Sequence, residues 1–362
     1  MARKERIICL VSNDLNQDQR MQRICTALSD AYEVVLLGRK LPDSAPLQKQ
    51  VFTQKRLRLF FKKGKFFYLE LFVRQLIFLL SNRVKLVYTV DLDTILAAMA
   101  LKKVKGTPFV YDAHEYFVEV PELIGRKKEQ AIWERLATRC IPEAEFCITV
   151  SRKLTEILTK RYGNSFHLIR NMPLKRPYPV KKKEGIDLIY QGALNKGRGL
   201  ELIIESMQWV EKQLLICGRG DVELDLKQLV KAKGLEEKVI FTGNLLPEEL
   251  YQFTCSAKLG FNLLEDQGLN YKYSLANKFF DYVQAGIPQI CINFPEYAYL
   301  NAQFKVAELI DLTDAKSIAK AINDTLNNRD LLEEMKENCK LAAQEWNWEK
   351  EKEQLQELFK HV

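Results

Sequence analysis

The sequence predicts an α/β protein built from two doubly wound domains, each around its own parallel sheet. Three observations carry this. The chain has 362 residues, which suits about two domains at roughly 150 residues each. Short apolar runs alternate with helical patterns, the mark of βαβ units. That rhythm breaks once, over residues 171–184, and then restarts. The break holds Pro173, Pro177 and Pro179 and ends in Lys181, Lys182 and Lys183. Prolines and like charges make a poor core, so a linker is expected there. The predicted domains are 1–178 and 179–345.

In the first half the predicted strands are 7–12, 33–37, 85–89, 108–112, 146–151 and 166–170, with helices between them. In the second half they are 187–191, 213–217, 239–242, 259–263 and 289–292. Residues 314–362 read as mostly helical. Ligands of such sheets bind beyond the carboxyl ends of the strands, so the loops that follow the strands are where chemistry is sought.

Charge is divided along the chain. Residues 1–183 carry 35 Lys and Arg against 18 Asp and Glu, a net of +17, and the remainder nets −9. A basic half suits an anionic partner: a membrane surface, nucleic acid or a phosphorylated substrate. No nucleic-acid-binding motif accompanies the charge, so nucleic acid is not expected. The eight cysteines form no C-x-x-C pair, and several sit inside apolar runs, as small hydrophobes do. This predicts a reducing, cytoplasmic setting with neither a disulfide framework nor a metal site. The apolar run that follows Met1–Arg6 is too short for a signal-peptide core. The most apolar segment, Phe66–Leu80, contains Glu70 and Arg74 and falls short of the ~18 clean residues a membrane span needs.

Three loops of the second half suit a phosphorylated ligand. The first, Tyr190 to Gly199, runs from a strand into a helix and contains Gly192, Gly197 and Gly199 with Lys196 and Arg198. Glycines let backbone amides approach a ligand, a helix N-terminus adds positive potential, and a guanidinium grips phosphate with two bonds. The second is Cys217-Gly218-Arg219-Gly220-Asp221. The third is Tyr273 to Tyr282, followed by Gly286 and Pro288. There Ser274 is expected as an N-cap with free amides behind it. Lys278 adds a cation, and Asp281 a carboxylate suited to the two hydroxyls of a ribose.

In this order and spacing, the three loops resemble the nucleotide-sugar domain of retaining GT-B glycosyltransferases, specifically glycosyltransferase family 4 (group 1). The residues that carry the resemblance are Gly192–Gly199, Ile216–Gly220, Val239–Gly243 and Asn277–Pro288. The first half is similar more loosely, through Ser12-Asn13-Asp14 with Gln19-Arg20-Met21, Tyr111–Glu115 and Thr149-Val150-Ser151. The resemblance implies two Rossmann-like domains facing across a cleft, with the last helix, 346–362, packing back on the first. It also implies a nucleotide-diphosphate-sugar donor, no cofactor, no metal and retention of anomeric configuration. The acceptor is expected to be a glycan or a lipid-linked molecule, in cell-surface polysaccharide synthesis.

Carried over residue by residue, Arg198 takes the family's phosphate-binding cation position. Asp281 stands where the second glutamate of the E-x7-E motif holds the ribose, and His114 falls near the transferred sugar. The donor-binding set is Gly192, Arg198, Gly218, Arg219, Ser274, Asn277, Lys278 and Asp281, and the catalytic candidate is His114. Two positions depart from the pattern. Tyr273 replaces the first glutamate of E-x7-E, and Ala193 replaces the arginine that follows the first glycine, leaving Lys278 or Lys196 to substitute. These departures leave two other readings open: a silent nucleotide-sugar-binding partner protein, and a sugar-nucleotide epimerase of the same architecture. A dinucleotide-dependent dehydrogenase is disfavoured, because no G-x-G-x-x-G follows the first strand.

Of the other histidines, His167 lies in an apolar run and reads as structural, and His361 is next to the terminus. Lys55–Leu80 interleaves cations with aromatics before a helical apolar stripe. Such a stretch can lie in a membrane interface, where each Lys or Arg near an anionic leaflet contributes roughly 1 kcal/mol. It can equally pack its Phe and Leu residues into the first domain while the cations face water. With the +17 charge, the expectation is peripheral contact with an anionic membrane at its cytoplasmic face.

Overall fold

The computed structural model describes residues 4–361 apart from Gln17, Val180, Lys181, Lys182, Glu184 and Thr313, and not the side chain of His361. Part of the expected linker, Lys181 and Lys182 included, therefore lies outside the described residues, as do Met1–Arg3 and Val362. The chain divides into two compact units, Met1–Asn171 with Glu351–Val362, and Met172–Lys350.

The first unit runs β1 (Arg6–Leu10), α1 (Gln19–Leu28), β2 (Glu33–Lys40), β3 (Thr53–Arg58), α2 (Lys65–Leu80), β4 (Leu86–Val90), α3 (Asp91–Lys105), β5 (Phe109–Ala113), α4 (Lys127–Cys140), β6 (Cys147–Thr149), α5 (Arg152–Tyr162) and β7 (Phe166–Leu168). Its parallel sheet has the order β3-β2-β1-β4-β5-β6-β7. The central strands are mostly apolar and buried, with Ile7–Leu10 and Leu86–Tyr88 at most 1% exposed. This is what a parallel sheet covered on both faces requires. β3 was not foreseen. Its sequence TQKRLR is polar and half-exposed, because an edge strand needs no apolar alternation and is protected by its charges.

The second unit runs β8 (Leu188–Gln191), α6 (Leu200–Ser206), β9 (Leu214–Cys217), α7 (Glu223–Ala232), β10 (Val239–Gly243), α8 (Pro247–Ser256), β11 (Leu259–Asn262), α9 (Leu269–Tyr273), α10 (Asn277–Gln284), β12 (Gln289–Ile292), α11 (Pro295–Asn301), β13 (Ala307–Ile310), α12 (Ala315–Asn327) and α13 (Arg329–Glu345). The sheet order is β10-β9-β8-β11-β12-β13, again all parallel. The edge strand β13 was also not foreseen. Met172, just after the first unit, belongs to this core, and Pro173 accepts a 2.8 Å bond from the Trp348 amide. Helix α14 (Trp348–Leu358) begins in the second unit and ends in the first. Phe359 beyond it packs on Tyr32, Tyr88 and Phe146 of the first unit.

The α/β class with two doubly wound sheets is therefore as expected. The eight cysteines are all free and buried. No helix among the described residues is long and apolar enough to cross a membrane.

Candidate functional sites at the strand ends

Each sheet has one point where the chain departs in opposite directions from adjacent strands, between β1 and β4 and between β8 and β11. The crevice outside the strand ends at such a point is where doubly wound sheets bind ligands. Both candidate clusters lie there, and each is described within its own unit.

In the first unit, β5 ends in Asp112 and Ala113, and His114 follows. The Asp112 carboxylate is fully buried and is the hub. Arg20 donates to it from Nη2 (3.0 Å to Oδ1) and Nε (3.2 Å to Oδ2), and Tyr88 Oη donates at 2.6 Å. The His114 ring reaches it through Nε2 at 3.0 Å. Arg20 is aimed by α1, whose first turn is capped by the Asp18 side chain on the Met21 amide at 2.9 Å, and its Nη1 donates to the Ile169 carbonyl at 2.8 Å.

Burial alone would raise the Asp112 pKa, but the charges of Arg20 and His114 hold it well below the usual carboxylate range. Burial likewise opposes protonation of His114, and the adjacent Asp112 carboxylate outweighs it, so the imidazole titrates above its ordinary value. The second ring nitrogen, Nδ1, has no hydrogen-bond partner among the described residues, and the side chain is 19% exposed.

Asp91 completes this cluster and was missed in the sequence. It follows β4 immediately, and its Oδ1 accepts from the His114 amide at 3.0 Å. Its φ of +51° is the one positive value at a non-glycine among the described residues. A residue held in that region stores local strain of the kind that gathers at functional sites. Burial raises its pKa well above the ordinary value, and Asp93 nearby is pushed up to about 6 by burial. The signal was available: an acid directly after a fully buried strand at the point where the strand order reverses.

In the second unit the three predicted loops converge. Gly192 follows β8 with φ +127°, and Gly218 follows β9 with φ +149°. A Cβ on Gly218 would lie 2.0 Å from the Gly192 carbonyl oxygen, so only glycine lets these two loops touch. Lys278 comes up from α10 beside Gly192, where an added Cβ would meet its Cε at 3.8 Å. Its ammonium sits 3.9 Å from the centroid of the Tyr190 ring. Lys278 is buried, and its Nζ has no hydrogen-bond partner. Burial, then the charge of Arg198, depress its pKa well below the ordinary lysine value. Arg198 lies over the Tyr271 ring at 5.4 Å, and its buried Nε is also unpartnered. Asn262, at the end of β11, leaves its buried Oδ1 unpartnered as well, while its Nδ2 donates to Cys291 Sγ at 3.3 Å.

Asp281 lies one turn after Lys278 on α10, so the two share a helix face. Its Oδ2 accepts from Gln191 Nε2 at 3.1 Å, and Gln191 Oε1 in turn accepts from Thr254 Oγ1 at 2.7 Å. The structure thus brings together Gly192, Arg198, Gly218, Lys278 and Asp281. Arg219 is exposed and borders Gly243, and Asn277 is exposed at the start of α10.

Ser274 is not the expected N-cap. It closes α9, bonding to the Tyr271 carbonyl at 3.4 Å. Helix α10 is entered through Ala276, which has no capping side chain. Nor are the amides there all free, since Ser274 donates to the Asn270 carbonyl and Ala276 to Tyr297 Oη at 2.9 Å. A short extra helix, α9, absorbed the residue expected to cap the next one. Tyr273 is its last residue. Among the described residues no group of three His, Cys, Asp or Glu is placed to hold a metal ion.

Chemically, the second cluster is a seat for an anion. The buried Lys278 side chain and the half-buried Arg198, with Nζ and Nε short of acceptors, are stabilised by whatever brings acceptor oxygens to them.

Comparison with known proteins bears on the whole chain. Residues 172–342 match the family described as glycosyl transferases group 1, and residues 18–172 match glycosyltransferase family 4. No curated protein matches at the level of sequence. Among solved structures, sucrose-phosphate synthase from Thermosynechococcus elongatus is similar with a TM-score of 0.83 at 17% identity, covering 99% of each chain. HepE from Anabaena, in complex with UDP-glucose, is similar with a TM-score of 0.78 at 14% identity over 99% of this chain and 100% of its own. WaaG, a glycosyltransferase involved in lipopolysaccharide biosynthesis, is similar with a TM-score of 0.73 at 14% identity over 96% and 98%. The two family matches divide the chain close to where its two sheets divide it, and the chain belongs to the group 1 glycosyltransferases of GT-B fold.

Proposed function

We propose that this glycosyltransferase moves a hexosyl group from a nucleotide-diphosphate-sugar to a glycan or lipid-linked acceptor, with retention of configuration and without a metal. The observation that carries the donor reading is the pair of under-partnered cations, Lys278 and Arg198, at the strand ends of the second unit. A diphosphate supplies the acceptor oxygens they lack, and two cations would offset the leaving-group charge in place of a metal. Gly192 and Gly218 let the backbone approach it. Asp281, held by Gln191, takes the ribose, and Ser274, Asn277 and Arg219 border the donor. His114, whose ring is held by Asp112 at 3.0 Å, is the catalytic candidate of the first unit. The HepE structures hold UDP and UDP-glucose, which makes UDP-sugars the first donors to try. The involvement of WaaG in lipopolysaccharide biosynthesis favours a role in cell-surface polysaccharide synthesis, at the inner face of the membrane.

A second reading, a silent nucleotide-sugar-binding partner, is favoured by one observation: Tyr273 stands where the first acid of the sugar-binding motif is expected. The test is thermal shift with UDP-, GDP-, ADP- and dTDP-sugars without metal, followed by mass detection of product with and without added glycan acceptors. A selective shift with acceptor-dependent product supports the transferase. A shift with no product supports the silent partner, and conversion of donor alone supports an epimerase. Wild-type donor binding by both Arg198→Ala and Asp281→Ala would overturn the site.

A further inference from the structure

The first unit carries an apolar surface that the transfer reaction does not use. Helix α2 is apolar nearly all round, with the sequence KFFYLELFVRQLIFLL. One face, Phe67, Leu71, Gln75 and Leu79, is buried. At helical spacing, Phe66, Leu69, Val73, Ile77 and Leu80 fall within one opposite stripe. All five are exposed, Ile77 by 58%. The loop before α2 extends the stripe with Phe60, 82% exposed. Glu70 pins that loop, its carboxylate accepting from the amides of Phe60 and Phe61 at 2.9 and 3.0 Å and from Arg74 Nε at 2.8 Å.

The charge around the stripe has one sign. Residues 55–85 hold nine Lys and Arg and a single acid, Glu70, which is already engaged. Lys62, Lys63 and Lys65 are exposed at the helix entry and have no acid partner among the described residues. An apolar stripe edged by unpaired lysines and carried on a helix of 16 residues is too short to cross a bilayer. It has the make-up of a segment that lies in the interface plane. A second copy of the same face would set lysines against lysines, whereas an anionic headgroup layer neutralises them.

We propose that the exposed face of α2, with Phe60 and the lysines of the preceding loop, docks this protein on an anionic lipid bilayer. The helix lies parallel to the surface, its stripe among the acyl-chain ends and Lys62, Lys63 and Lys65 at the phosphates. The proposal deepens the transferase reading, on which it rests only for its consequence that the acceptor is presented by the bilayer. Its test needs no activity.

The full chain is floated with vesicles of phosphatidylcholine alone and of equal parts phosphatidylcholine and phosphatidylglycerol. Binding to the anionic vesicles only, weakened by salt, is expected. Leu69→Ser with Ile77→Ser, and separately Lys62→Glu with Lys63→Glu, are each expected to lower the bound fraction about tenfold. All four positions are exposed, so the unfolding temperature and the donor-induced shift should stay at wild-type values. Absence of binding to anionic vesicles overturns the proposal. So does binding that neither variant weakens, or a dimer in sedimentation equilibrium that Ile77→Ser dissociates. Loss of the transferase reading alone would leave the vesicle result standing, and the reverse also holds.

Discussion

The Lys278 ammonium lies 3.9 Å from the centre of the Tyr190 ring with no hydrogen-bond acceptor. A ring face offsets only part of what a buried ammonium loses on leaving water. Lys278→Met keeps most of the unbranched side chain, one atom shorter, and removes the charge. Without ligand, Lys278→Met should be as stable as wild type or more so, by about 1 kcal/mol. Donor affinity should fall by about 2 kcal/mol, some thirtyfold. Thermal unfolding and donor titration on the same two proteins check this.

The same lysine predicts a pH dependence. Its folded-state pKa is depressed below the ordinary 10.5, so above the folded value the unfolded chain binds the extra proton. Stability in the absence of ligand should therefore rise with pH from the folded value towards the ordinary lysine range. Lys278→Met should flatten that rise. Denaturant unfolding at a series of alkaline pH values measures it.

Asp112 satisfies Arg20, Tyr88 and His114 at once. Asp112→Asn should cost about 3–5 kcal/mol, because it strands a buried guanidinium. It should also drop the His114 pKa. In wild type the raised His114 value gives stability that is full below about 6.5 and lost as pH rises through the folded pKa, while the lowered Asp112 value gives stability lost only in acid. Imidazole titration by NMR in wild type and in the milder Tyr88→Phe reads the first effect even where Asp112→Asn fails to fold.

Gly218→Ala places a Cβ 2.0 Å from the Gly192 carbonyl oxygen. A loss of about 2–3 kcal/mol or more is expected, together with loss of donor binding. Gly234→Ala is the control. It has a positive φ but nothing within 4 Å of the new methyl, and should cost only about 1–2 kcal/mol. Thermal unfolding of the pair separates conformational strain from collision.

Much of this was readable before any coordinates, for a definite reason. β5, β8 and β9 are buried nearly throughout, so burial writes them as largely apolar runs, and the loops after them are where His114, Gly192 and Gly218 were found. β3 and β13 were missed because they lack an apolar run, as TQKRLR shows, whereas the edge strands β7 and β10 carry one and were foreseen. The pairing of Arg20 with Asp112 spans 92 residues and depends on how α1 lies across the strand ends, which local pattern does not encode. Ser274 was misplaced because an N-cap signature does not reveal a five-residue helix that ends on the same serine. Tyr273 and Ala193 stood out as departures, while the unpartnered state of Lys278 required coordinates.

The eight buried thiols fall evenly across the chain. Cys9, Cys25, Cys140 and Cys147 belong to the first unit, and Cys217, Cys255, Cys291 and Cys339 to the second. Each unit therefore holds its own set of silent reporters. A pulse of alkylating reagent followed by peptide mass analysis clocks the opening of the two units separately in a single sample. A nucleotide sugar gripped by the second unit should slow labelling of that set while leaving the first set on its original schedule.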